Sequence, residues 1–164
     1  MLLRMTNGFD LKKDPLSKLG SIKQTAVFFN VIMVLFGLGQ LIFVLQLMWT
    51  LNILSNIFFL FLIAVAAMST SLLGLFPLNE RNKLHKLFAI LAFGFSCLVS
   101  LILDVYLAPS SLMLGVLSLA FSATAITALV SYFRSHSLGA YQEFIFLLGV
   151  LGWNLVMSCF LLLK

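Results

Sequence analysis

At 164 residues the chain is 62% hydrophobic and 9% charged, with a mean hydropathy of +1.15. A water-soluble domain of this size carries about a quarter charged residues and under half apolar ones, so a soluble globular fold is excluded and the solvent is lipid. The formal charge of +5 comes from basic residues beside long apolar runs, which points to membrane orientation and lipid headgroups and away from nucleic acid.

The expected fold is all-α, an integral membrane helical bundle of five transmembrane helices at about 25-47, 53-76, 87-107, 112-132 and 143-163. Each run suffices to cross about 30 Å of hydrocarbon at ~1.5 Å per residue. The domain division is a basic N-terminal tail, 1-24, and a bundle, 25-164.

The tail is broken by Asn7-Gly8, Asp14-Pro15 and Leu19-Gly20 and has no apolar core of a secretory signal. A short interfacial helix after Pro15, with Leu16 and Leu19 in lipid, and a plain solvated tail are both open readings. The first span carries Asn30, Gly37, Gly39, Gln40 and Gln46, and Trp49 in the uncharged turn after it suits an interfacial belt. In the second span Ala64, Ala67, Ser71 and Gly74 recur at helical steps, a small-residue face that lets another helix approach closely.

Pro77 ends that span, and residues 80 to 86 bring the charge that faces water. The third span aligns Ala89, Ala92, Ser96, Ser100 and Asp104 on one stripe with His85 at its head. The fourth is the most polar, with Ser118, Ser122, Thr124, Thr127 and Ser131; the fifth carries Gly149, Gly152, Trp153, Asn154 and Ser158. Cys97 and Cys159 fall inside apolar runs and read as small hydrophobes without a disulfide.

Five spans put the tail, the 77–86 loop and the 133–142 loop on one side. They hold five, three and one Lys or Arg, nine of the ten in the chain, against Lys164 alone on the other. Positive charge marks the cytoplasmic side. The expectation is therefore a cytoplasmic N-terminus and an outside C-terminus in a prokaryotic cytoplasmic (inner) membrane.

Asp104 is the acid deepest in a span. At ~1.5 Å per residue it lies about 25 Å along its helix from Leu87, so the first expectation is that it reaches headgroups at the outer interface beside Tyr106. A bundle-facing contact with Ser100 and a serine of the fourth span is the second, and a ligand or proton site the third. Asn30, Gln40, Asn56 and Asn154 are intramembrane polar residues that call for interhelical hydrogen bonds. His85, His136, Glu80 and Glu143 match no metal-ligand spacing, so no metal and no cofactor is expected. Nucleophile-elbow, metalloprotease and phosphate-loop patterns are missing from the sequence.

The segment Asp14-Pro-Leu-Ser-Lys-Leu-Gly20, then Phe28-Phe-Asn30, then Gly74-Leu-Phe-Pro77 with His85 eight residues on, resembles the polytopic membrane family called domain of unknown function 998. The resemblance implies a bacterial or archaeal helical bundle without an assigned activity, with Gly74, Phe76, Pro77 and His85 as its characteristic positions. It also implies a further hydrophobic helix before the Ser-x-Leu-Gly segment, and here this sequence departs from the family's pattern.

Two functions follow as expectations. One is a non-catalytic assembly or accessory component whose Ala64, Ala67, Ser71 and Gly74 face packs with its own helices, with other membrane proteins or with a second copy. The alternative is a protein that binds a lipid or small amphiphile, with Arg81, Lys83 and His85 on the headgroup and the polar fourth span lining a cavity. Membrane lipids are partners in either case.

Overall fold

The computed structural model describes residues 9–10, 14–78, 83–107, 109, 111–135 and 140–163. Five helices follow a short 3-10 turn, Leu16–Gly20: α1 Ala26–Thr50, α2 Ile57–Leu75, α3 Lys83–Leu107, α4 Leu112–Ser135 and α5 Ala140–Leu162. All five are long and apolar enough to cross a membrane, and no strand occurs among the described residues.

The helix ends differ from the sequence estimate for local reasons. The first helix runs on to Thr50, and its end is closed by Ile53 N–H on the Met48 carbonyl at 3.0 Å and Asn52 N–H on the Trp49 carbonyl at 3.1 Å. That reverse turn needs a left-handed residue, and Asn52 supplies it at φ 57°. The start of α2 waits for Asn56, whose side chain accepts from Phe59 N–H at 3.1 Å. The third helix is already formed at Lys83, four residues ahead of the sequence estimate, because charge does not stop a helix. Lys83, Lys86 and Leu87 point outward while His85 and Ala89 point in.

The helices pack in chain order, α1 on α2, α2 on α3, α3 on α4 and α4 on α5, while α1 and α5 scarcely touch. The two hairpins are held close by glycine. A Cβ at Gly37 would come 2.6 Å from the Ala67 carbonyl oxygen, and one at Gly149 would come 2.7 Å from the Ala125 nitrogen. These are backbone atoms that cannot step aside. Lipid tails are as apolar as leucine, so close van der Waals contact of this kind drives helix association in a bilayer.

One end of the bundle, here the proximal end, gathers residues 14–25, the end of α2 and the start of α3, and the end of α4 and the start of α5. The distal end holds the two short turns after α1 and α3, and Leu163. Most of the apolar core lies in the distal half, where Leu47, Met48, Leu103, Leu107, Met157 and Phe160 are buried. The outer faces are apolar too, as lipid requires: Val27, Leu35, Ile57, Val105, Leu112 and Leu155 are all exposed.

Directly after Pro15 the chain forms a short 3-10 turn, Leu16–Gly20, and from there to α1 it is packed against the bundle and is not a free tail. Its 3-10 turn sits on both α1 and α5 and so bridges the thin seam between them at the proximal end.

Candidate functional site

Ser17, Gly20, Asn30, Gly74, Phe76 and His85, far apart in sequence, meet at the proximal end. Asn30 Nδ2 donates to the Gly20 carbonyl at 3.2 Å, and Thr25 Oγ1 donates to the Leu19 carbonyl at 2.7 Å, which folds the entry turn onto α1. Gly74 lets α2 lie against the same place, since a Cβ there would strike the Asn30 carbonyl oxygen. Two residues further on, at the C-cap of α2, the Phe76 carbonyl accepts from His85 Nδ1 at 2.7 Å. The Phe76 and Phe88 rings meet alongside, tilted by 40° with centroids 5.5 Å apart. Ser17 completes the knot from the other side, its backbone N–H and its hydroxyl each donating at 3.0 Å to one oxygen of the buried Glu143 carboxyl on α5.

A second polar cluster lies within the bundle. Asp104 is 1% exposed. Ser122 Oγ of α4 donates to its Oδ2 at 2.7 Å, and Trp153 Nε1 of α5 donates to its Oδ1 at 2.8 Å. The reading of Asp104 as a headgroup-seeking residue is thereby corrected. Its helix face, shared with Ala92, Ser96 and Ser100, turns inward, and depth along the axis says nothing about which way a side chain points. Of the two contacts foreseen for the inward alternative, the serine of the fourth span is present. Ser100 instead donates to its own helix, at the Cys97 carbonyl, 2.9 Å away.

Beside this cluster is a cavity of about 70 Å³ at mid-bundle, partly open and lined from all five helices. Its polar lining is Gln40, Thr70, Ser96, Ser100, Ser122 and the Trp153 indole; Phe36, Ala66, Phe93, Phe146 and Val150 supply apolar wall. Gln40 Oε1 is buried there without a hydrogen-bond partner. In a membrane interior that is costly unless something else visits the group.

The other residues singled out from sequence are not drawn into this cavity together. Arg81 lies outside the described residues. Lys83 is exposed, while His85 is buried and committed to Phe76, so the two do not form a shared headgroup cradle in the described structure. Asn154 Nδ2 is satisfied within α5 by the Val150 carbonyl at 2.8 Å. Ala67, Ser71 and Gly74 face α1, with Ser71 Oγ donating to the Val34 carbonyl at 3.3 Å, and Ala64 is half-buried. Sequence reasoning missed the pairing of Ser17 with Glu143. The available signal was a carboxyl at the head of an apolar span, which needs donors from some other segment.

Chemically, Ser122 has the Asp104 carboxyl beside it, and among the described residues no histidine joins them as the base of a nucleophilic relay, His85 being held at the Phe76 carbonyl. Among the described residues no group of three or more His, Cys, Asp or Glu could hold a metal ion.

Five apolar helices around a buried carboxyl cluster and a mid-bundle cavity define a multi-pass α-helical membrane protein. The chain belongs to the family described as protein of unknown function (DUF998), whose model matches residues 2–159. No curated protein and no solved structure matches it.

Proposed function

We propose that the protein binds a small amphiphile or lipid within the bilayer, taking its polar end into the mid-bundle cavity through the seam between α1 and α5. The observation that carries this reading is the cavity itself: it combines polar groups with apolar walls at a depth where lipid offers no water. A volume of about 70 Å³ accommodates roughly two water-sized groups. That is room for a polar head and its first carbon, with the tail left along the seam or in lipid. The setting proposed is a prokaryotic cytoplasmic membrane with the proximal, basic end inside.

An assembly role is the second reading, and one observation favours it. Only 11% of the apolar stretch of α1 is buried, against 33% to 50% in the other helices. The small-residue face of α2 is already spent on α1, so a partner helix or second copy would lie on the outer face of α1, around Val27, Val31, Leu35 and Ile42.

Native mass spectrometry of the gently extracted protein separates the two. A discrete bound amphiphile on a monomer, displaced when Ala66→Leu fills the cavity, is the expected result. A bare monomer, or an amphiphile retained unchanged by Ala66→Leu, removes the proposal. A stoichiometric homo-oligomer or protein partner without amphiphile replaces it with the assembly reading.

A further inference from the structure

The hydroxyl groups around the cavity have largely given their protons away. Thr70 Oγ1 donates to the Ala66 carbonyl at 2.9 Å, Ser100 Oγ to the Cys97 carbonyl at 2.9 Å, and Ser122 Oγ to Asp104 at 2.7 Å. The Trp153 N–H is also committed to Asp104. What these hydroxyls still offer is lone pairs, since a hydroxyl has one proton and two acceptor sites. Gln40 Oε1 adds a carbonyl acceptor with no partner at all. Ser96 is the remaining hydroxyl on the wall.

Resting on the binding role proposed above, we infer that the ligand's polar group is a hydrogen-bond donor, an alcohol or an amine, and not a carboxylate or phosphate. A donor entering here satisfies Gln40 Oε1 and meets Thr70 and Ser100 oxygens that have no other use. An anionic head would bring further lone pairs to a wall whose Thr70, Ser100, Ser122 and Trp153 donors are already committed, and would give up its hydration for little return. The apolar faces of Phe36, Phe146 and Val150 then meet the first carbon of the chain.

The test is binding of four matched C16 probes to the purified full-length protein in one detergent at pH 7: hexadecanol, hexadecylamine, palmitate and hexadecane. Hexadecanol or hexadecylamine is expected to bind at least about tenfold more tightly than palmitate and hexadecane, and whichever of the two is stronger tells alcohol from amine. Gln40→Leu should lower that preference severalfold while the variant keeps its helical content; Thr70→Val, which removes a second acceptor at little change in volume, should act in the same direction. Equal binding of all four probes, a preference for palmitate, or a preference untouched by both variants overturns the inference but leaves amphiphile binding standing. Failure of every probe to bind overturns the binding role itself.

Discussion

Trp153 Nε1 donates to Asp104 Oδ1 at 2.8 Å, a contact between α5 and α3 across 49 positions of sequence. With Ser122 on the other oxygen, one carboxyl ties three helices together where α3 and α4 pack less extensively than the hairpins flanking them. A buried carboxyl left without a donor bears its full desolvation cost, so Trp153→Phe should destabilise the protein by about 1–3 kcal/mol. Asp104→Leu should cost at least as much, because it strands the Ser122 hydroxyl and the Trp153 N–H together. Asp104→Asn keeps an oxygen for Trp153 and lets the Ser122 hydroxyl turn to accept from the amide, so its cost should be about 1 kcal/mol or less. Thermal unfolding in detergent ranks the three; a Trp153→Phe midpoint equal to the wild type would mean that this bond contributes nothing to stability.

Two glycines in α1 make an internal control. A Cβ at Gly37 meets Ser71 and the Ala67 carbonyl, whereas one at Gly39 meets nothing within 4 Å. Gly37→Ala must push α1 from α2 and should cost about 1–3 kcal/mol, as overpacking does. Gly39→Ala should be neutral or stabilising by up to about 1 kcal/mol through helix propensity. Unfolding measured for both would refute this picture of the interface if the order were reversed.

The same comparison shows what the sequence could and could not reveal. Five spans, their rough bounds and the small-residue face of α2 were readable because hydropathy and helical spacing are local properties. The partner of that face was not: Ser71 and Ala67 could have met any helix, and only the packed chain shows Gly37 lying over them. Asp104 failed for a related reason. Position along an axis was legible, but rotation about it depends on neighbours, and Ser122 and Trp153 lie on two other helices. Gly74, Phe76 and His85 were visible as a pattern with no role attached; their role is local, joining the end of α2 to the head of α3 and to Asn30.

Glu143 fastens the entry turn across the seam. Its carboxyl accepts both Ser17 donors, whereas the other polar anchors of that turn, Thr25 and Asn30, belong to residues at the start of α1. Glu143→Ala should therefore release the turn from α5 while leaving it attached to α1. Hydrogen exchange is the suitable probe, since it reports local opening separately from global unfolding. Amides of residues 16–20 should exchange faster, by about tenfold for each ~1.4 kcal/mol of lost local stability, with the midsections of α2 and α3 unchanged. Unaltered exchange at residues 16–20 would show that apolar contacts alone hold the turn.

Orientation gives the last prediction. By chain order, five spans put the basic tail, Arg81, Lys83, Lys86 and Arg134 on the proximal side, while the distal side has two uncharged turns and Lys164 alone after α5. Short basic segments resist translocation, so a reporter fused after Lys164 should be active only outside the membrane and one at the N-terminus only inside. The balance is steep enough to survive partial neutralisation. Replacing Lys12 and Lys13 with Gln still leaves seven of the eight remaining basic residues on the proximal side, and the reporter should keep its side. A C-terminal reporter found in the cytoplasm of the unmodified protein would invert the bundle, placing the Ser17–Glu143 contact and the His85 knot at the outer face.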